Sequence, residues 1–530
     1  MPVRILHVFC TPARGSRVAR PPEGAVSPAR PPEGAVSPAR PPEGAVPPAR
    51  PREPCRPPAR GSRVKIPYWC LRLSMGNAES GQYRKRLLGI SPEEQAEIEQ
   101  RFDRISQGKK CVDLQTFQEA VGCALLGPMT KRIFTGIQGA NTGGNNAPAS
   151  ADISREQFVF FLVDVIRGNA EEKSCVLLRM IAAGNAEHVS GQQVQQFLED
   201  LVASLLHALT QQKLLNGWNA EKTPNNCSGV STLATQCLSQ LKTTDQQNLD
   251  KPELLNASCS RATLEDWLYR APMVSTFLRI LATHGLSALK NHTDIQRDLG
   301  NLIPKCKGTK NNSAFVSLLD LPSVIYLNSH LPYEVQHRWR LLFSTRLHGE
   351  SFSKLCGCIV DQGPCLLVLK DSDGFIFGGF ASQEWEVKPQ YRGDTRCFLF
   401  TASPKLNVYT CTGYNDHYMY LNHGQQTMPN GLGMGGQHNY FGLWLDSDYG
   451  TGHSKAKPRC TTYNSPQLSS KEDFSIDALE VWAVGDVPEH LLAKNKKSIL
   501  DADPEVRALL EMTGKARQSD GLRDVVDDDN

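Results

Sequence analysis

The chain has 530 residues, 40% of them apolar, and a formal charge of +3; that length suits two to four domains with real cores. Twelve Arg and one Lys against four Glu give residues 1–74 a charge of +9, which leaves −6 for the remainder. The folded part is mildly acidic, which argues against nucleic acid as its main partner, because phosphate binding needs a basic face. No apolar run is long enough to span a bilayer, and Ile5–Phe9 is too short for a signal-peptide core. The 16 cysteines follow no regular spacing; Cys356 and Cys358 form a C-x-C, not the C-x-x-C of a zinc or redox site. The expectation is a reduced, cytosolic protein, with sequons such as Asn256-Ala-Ser unused.

Residues 1–74 are of low complexity. The unit ARPPEGAVSP starts at Ala19, recurs at Ala29 and recurs with one change at Ala39, and PARGSRV appears at Pro12 and Pro58. Proline at this density opposes helix and ladder formation and there is little to bury, so the segment is expected to be disordered. Met75-Gly76-Asn77-Ala78-Glu79-Ser80 matches the N-myristoylation pattern M-G-x-x-x-[ST]. The chemistry needs Gly76 as a free amino terminus, so Met75 is expected to be a physiological start. Arg84, Lys85 and Arg86 supply the second, basic signal that one acyl chain needs to hold a membrane surface.

Residues 91–305 read as helical. Ser91-Pro92-Glu93-Glu94 opens a helix with an N-cap, a first-turn Pro and acids at the positive end of the dipole; Ile98, Phe102 and Ile105 follow at helical spacing. Val112 with Phe117, Ile153 with Phe158 and Val189 with Phe197 mark loops that rejoin a helix. The first two spacings resemble EF-hands. Aligned on Val112, however, positions one, three and twelve are Ile105, Gln107 and Thr116; aligned on Ile153 they are Asn146, Pro148 and Gln157. Calcium needs several carboxylates, with a bidentate Glu at position twelve. Degenerate EF-hand-like pairs and a plain helical domain both fit, and neither predicts tight calcium binding. Residues 216–260 are expected to contain a mobile loop, and Thr263–Thr283 to be a helix broken at Pro272.

From Val324 to Asp486 the period changes. Val335, Trp339 and Leu342 predict a helix. Cys365–Lys370 and Phe375–Phe380 flank the hairpin signal Asp371-Ser-Asp-Gly374. Arg396–Thr401, Leu406–Thr410, Tyr418–Leu421, Tyr440–Leu445 and Leu479–Val484 complete an all-β pattern, which suits a two-sheet sandwich covered by helices. Gly431-Leu-Gly433-Met-Gly-Gly436 satisfies G-x-G-x-x-G but lacks the strand and helix of a dinucleotide site, so it is expected to be a surface loop or tight turn. His417, His423, His438 and His453, with Asp416, show no ligand-pair spacing and read as polar loop residues. Glu384 and Glu386 flank Trp385 and are not by themselves an acid–base pair. Gly378-Gly379 marks a bulge or a close backbone approach. After the sandwich, Asp503-Pro504-Glu505 opens a short helix with the apolar stripe Val506, Leu509 and Leu510, ended by Gly514. That stripe either packs back on its own sandwich or enters a partner's groove. Gly521–Asn530 is an acidic tail.

The run Tyr414–Leu445, with Gly378-Gly379-Phe380, Trp385, Gly393-Asp394 and Cys397–Phe400, resembles the TLDc domain. Residues 75–530 as a whole resemble the EAK family of TLDc regulators, through Met75-Gly76-Asn77, His337–Phe343, Tyr414–Trp444 and Ser498–Pro504. Residues and resemblance together give the expectation of an α+β multidomain protein: a repeat extension over 1–74, which departs from the family, an anchor segment over 75–90, a helical EF-hand-like domain over 91–305, a TLDc β-sandwich with flanking helices over 316–486, and a linker, helix and tail over 487–530. It also implies a non-enzymatic adaptor in the cytoplasm and on the cytosolic face of the lysosomal membrane. Its implied partners are mTOR pathway components acting through S6 kinase and the vacuolar proton ATPase, with no cofactor and no metal. The competing class is an oxidation-resistance factor using thiol or other enzymatic chemistry, with Cys356, Cys365, Cys397 and Cys411 as candidates.

Overall fold

The computed structural model describes residues 89–140, 152–182, 186–218, 226–242, 251–286, 299–309, 315–426 and 428–496. Gly76, Arg84, Lys85, Arg86, Val506, Leu509 and Leu510 lie outside the described residues, as do the repeats, the acidic tail and positions one and three of the second EF-hand alignment.

The helical part is built from four units in which a short strand leads straight into a helix. Helix α1 (Pro92–Ser106), strand β1 (Cys111–Val112) and helix α2 (Leu114–Val121) form the first; α3 (Gly127–Gln138), β2 (Ile153–Ser154) and α4 (Arg155–Ile166) form the second. The third is α5 (Ala170–Ala182), β3 (His188–Ser190) and α6 (Gly191–Gln211). The fourth is α7 (Asn226–Ser239) and α8 (Lys251–Asn256), then β4 (Ser258–Ser260) and α9 (Arg261–Arg270). The units pair through their strands, Val112 opposite Ile153 and Val189 opposite Cys259. Each helix that follows a strand starts on a side-chain cap: Asp113, Ser154, Ser190 and Ser260 accept backbone N–H bonds from Thr116, Gln157, Gln193 and Thr263. The predicted cap of α1 is a full capping box, Ser91 with Glu94. Helices α7 and α8 and strand β4 lie where the sequence suggests a mobile loop. Leu233, Ala234, Cys237 and Leu238 bury one face of α7, a stripe thinned by its Ser, Thr and Cys neighbours. Helix α10 (Pro272–Ile280) begins after the predicted break.

The carboxy-terminal part has β5 (Lys305–Lys307) and α11 (Leu321–His330) at its entry. Strand β6 (Arg338–Ser344) stands where Val335, Trp339 and Leu342 predict a helix. Those apolar residues fit a helical stripe, but the strand is covered on both faces, so period two is hidden. Then follow α12 (Thr345–His348), α13 (Phe352–Ile359), β7 (Cys365–Asp371), β8 (Ile376–Ala381), β9 (Lys388–Arg392), β10 (Phe398–Ser403) and β11 (Asn407–Thr410). The remaining elements are β12 (Met419–Asn422), β13 (Gly431–Met434), β14 (Leu443–Asp446), β15 (Thr451–His453), β16 (Asp473–Val484) and α14 (Glu489–Lys496). The class is α+β. Strands run β11-β10-β8-β7-β16-β15-β14-β13-β12-β9, with β6 and β5 joined at β16. The β5–β6 pair is parallel and the other strand pairs described here are antiparallel.

Strand β16 holds two sheets together. Its first residues pair with β15, and its last pair with β7 on one side and β6 on the other. Alternate side chains serve two cores. Leu367, Leu369, Leu399, Leu479 and Val481 pack with Leu432, Met434 and Leu443 inside the sandwich. Leu366, Val368, Phe398, Phe400 and Trp482 belong instead to one core continuous with the helical part. Gly379 makes the first core possible: a Cβ there would meet Met434 Sδ at 2.5 Å, the close approach expected of the glycine pair. In the β7–β8 hairpin, Asp371 Oδ1 accepts the N–H groups of Asp373 and Phe375, and Gly374 takes φ +87°.

Candidate functional site

The aromatic, Gly- and His-rich run of the sequence folds into an aromatic row. Cross-strand pairing sets Tyr391 beside Tyr420, Tyr420 beside Gly433, Gly433 beside Trp444, and Trp444 beside His453. Tyr391 stacks on His417 with ring centres 4.0 Å apart, and Phe441 on Trp444 at 4.6 Å. Gly433 makes the row possible: a Cβ there would lie 2.8 Å from Trp444 Cε3 and 2.9 Å from Phe441. Gly431–Met434 of the G-x-G-x-x-G segment is therefore a buried strand and not a surface loop, while Gly435 and Gly436 turn with φ of +72° and +83°. Its glycine is needed by rings lying across it, not by a phosphate.

The histidines are not brought together. His417 Nδ1–H donates to the Gly436 carbonyl at 2.7 Å. Burial, then Lys455, lowers the His453 pKa, so its ring is neutral where it stacks near Trp444. His423 packs on Phe352 and shares a hydrogen bond with Ser353 Oγ at 3.2 Å. Among the described residues no three His, Cys, Asp or Glu side chains are grouped to hold a metal ion. Glu386 pairs with both Lys388 and Arg392, so it is held as an anion between cations and does not face Glu384 as an acid–base partner.

The candidate thiols sit in packing positions. Burial pushes Cys365 up to about 12 and Cys356 up to about 11, and also raises Cys397. Cys397 Sγ meets Ser382 Oγ at 3.1 Å, and Cys411 donates to the Thr395 carbonyl. A nucleophilic cysteine requires a lowered pKa and access; the first three show the opposite.

Two features that sequence reading missed lie where the helical part meets the sandwich. Glu480, on β16, is fully buried. Its Oε1 accepts the Leu318 N–H at 2.9 Å, and its Oε2 accepts Ser317 Oγ–H at 2.9 Å and Trp482 Nε1–H at 3.2 Å. Desolvation outweighs these donors and the distant Arg346 charge and pushes the carboxyl up to about 7. Trp482 packs with Trp218 and Trp339, ring centres 5.2 and 6.3 Å away, while Trp218 donates to the Pro304 carbonyl and Trp339 to Asn328. Beside this junction a cleft of about 500 Å³ opens between α7, the α9–α10 turn and α11, lined by Gln240, Arg270, Met273, Tyr326, Tyr333 and Gln336 among others. Arg270 donates from Nε to the Gln240 carbonyl and from Nη1 to Asp266, while its buried Nη2 has no partner.

The strand order, the glycine pair of β8 and the aromatic row agree with a match to the TLDc domain over residues 313–485; this is a TLDc-domain protein with a helical module in front. Similarity extends well beyond that domain. The chain is 61% identical to MTOR-associated protein MEAK7 of Xenopus laevis over 86% of its own length and all of that protein, and 50% identical to the human protein of that name with the same coverage. The chain belongs to the MEAK7 family. Oxidation resistance protein 1 of Bos taurus shares 36% identity over 37% of this chain and 21% of its own length.

Proposed function

We propose that this protein is a non-enzymatic adaptor of the mTOR pathway. The observation that carries the reading is the full-length coverage of relatives named for mTOR association, across helical module and sandwich alike. The raised, buried thiols of Cys356, Cys365 and Cys397 support it, because those three lack the lowered pKa and the access of a nucleophile. In this reading Gly76 carries a myristoyl chain, Arg84, Lys85 and Arg86 add attraction to anionic lipid, and the protein works at the cytosolic face of the lysosome. The stripe Val506, Leu509 and Leu510 is its contact with a partner, for which the vacuolar proton ATPase is the candidate.

The test is affinity purification of the tagged chain from cells, followed by detection of mTOR and of vacuolar ATPase subunits, with S6 kinase phosphorylation measured in parallel. The adaptor reading expects mTOR in the eluate and lower S6 kinase phosphorylation after depletion, restored equally by the wild type and by a Cys356, Cys365, Cys397 and Cys411 to Ser variant. Rescue by the wild type but not by that variant overturns it in favour of thiol chemistry. Absence of the pump with mTOR retained removes the pump from the reading and leaves the adaptor role standing.

A further inference from the structure

The cleft beside the junction has the chemistry of a site awaiting an acidic strand. Its lining includes Arg270 and, among the described residues, no Asp or Glu. Asp266 occupies Nη1 of Arg270 from the outside and is itself 60% exposed, but Nη2 is buried without an acceptor. A buried cationic N–H in that state is unfavourable, and an incoming carboxylate removes that cost. Around it, Pro272, Met273, Leu302, Ile325 and Tyr326 give an apolar wall. The occupant that fits carries carboxylates spaced among small apolar side chains.

We propose that this cleft binds the acidic tail of the same chain, Gly521–Asn530. The tail has Asp524, Asp527, Asp528 and Asp529 against the single Arg523, with Leu522, Val525 and Val526 between them. The chain also leaves the sandwich next to the cleft. Asp486 accepts from His337 Nε2 at 3.0 Å and pairs with Arg338, while Gln336, the residue before His337, lines the cleft. At the same exit, a Cβ on Gly485 would touch Val335 Cγ1 at 2.8 Å. Helix α14 adds roughly 12 Å to the path. A flexible chain of 24 residues, the count from Lys497 to Asp520, has a root-mean-square reach of roughly 27 Å, and the short helix expected from Asp503 shortens it. A tether of that order presents the tail to surfaces near the chain's exit at an effective concentration in the mM range. A tail–cleft contact with a Kd of only about 0.1 mM is then closed in about nine molecules out of ten. Closed, the tail covers the junction and draws the preceding stripe, Val506, Leu509 and Leu510, back toward its own chain; a partner engages that stripe by competing with the tail.

Hydrogen exchange by mass spectrometry on the full chain tests this. The variant replaces Asp524, Asp527, Asp528 and Asp529 with Asn, all four outside the described residues. The expected result is that amides of 236–240, 270–276 and 325–336 exchange about threefold or more faster in the variant, and that Arg270→Gln gives the same pattern in the same segments. About 0.5 M salt should reproduce it in the wild type by screening the pair. Unchanged exchange in the tail variant overturns the proposal, as does a change confined to other segments. Protection that grows with protein concentration also overturns it, because the occupant is then the tail of a second copy.

Discussion

Glu480 makes the stability of this protein fall as pH rises, and Glu480→Gln isolates the effect. The ordinary carboxyl value is 4.5 and the folded one about 7. The folded chain therefore keeps its proton over a window in which the unfolded chain has released it. Below pH 4.5 both states hold the proton and the group is neutral in both. Between 4.5 and about 7 the unfolded state gains by ionising and the folded state does not, so stability drops. Above 7 the whole difference is lost, at 1.36 kcal/mol per unit about 3 kcal/mol. Removing the carboxylate has its own cost. The substituted amide cannot accept from Leu318 N–H and Trp482 Nε1–H with both of its end atoms, so one donor is left bare, a penalty of about 1–3 kcal/mol that does not vary with pH. The variant should be the less stable protein near pH 5 and equal or exceed the wild type near pH 8. Denaturant titrations across that range, followed by tryptophan emission, read the effect locally, because Trp482, Trp218 and Trp339 surround the site. Other titrating groups, His453 among them, are common to both proteins and cancel in the difference. A wild-type-minus-variant gap that stays constant from pH 5 to pH 8 refutes the reasoning, since it means the carboxylate is already ionised in the fold.

Gly433→Ala should lower stability by about 1–3 kcal/mol, because the new methyl meets Trp444 and Phe441 below 3 Å; a thermal melt checks it, and an unchanged Tm would mean the rings move aside freely. Trp218→Ala should cost about 3–5 kcal/mol and, in limited proteolysis, speed cleavage in 299–320 more than in the strands. Native alkylation should label Cys111 and Cys123, which are exposed, well before Cys365 and Cys397, which are buried with raised pKa values; rapid labelling of Cys397 would revive the thiol reading. Added calcium should leave the melting temperature unchanged. At the twelfth loop positions Thr116 and Gln157 are neutral; Thr116 N–H donates to the Asp113 cap and Gln157 accepts the Ser154 N–H within a capping box, and a calcium-dependent upward shift would show that the loops bind the ion by another donor set.

Features that depend on a few neighbouring residues were legible in the sequence. Ser91 with Glu94 and the Asp371–Gly374 turn act over three or four residues, so their chemistry shows without the fold. The same holds for the pairing residues Val112, Ile153 and Val189, each fixed by the helix start that follows it. Features decided by what covers a strand were not. Trp339 and Leu342 satisfy a helical stripe equally well, and only the parallel pairing with Lys305–Lys307 and the packing against Trp218 show β6 to be a strand with two buried faces. Gly431–Met434 carries too little side chain to show a period at all; its rings come from Tyr420, Phe441 and Trp444 on other segments. Glu480 looks like any polar position in an alternating strand until Ser317 and Leu318 close over it from more than 160 residues away.

The double use of β16 bears on how such a protein can be regulated. Leu479 and Val481 hold the sandwich together while Glu480 and Trp482, one residue out of phase, face the helical module. A core shared in this way resists relative movement of the two parts, since sliding one across the other would uncover Phe398, Phe400 and Trp482 together. At roughly 1.5–3 kcal/mol for each large apolar side chain, that movement is far more costly than the weak contacts that regulate adaptors. Control is then cheapest at the surface. At the surface it acts through a tethered segment that competes for a cleft.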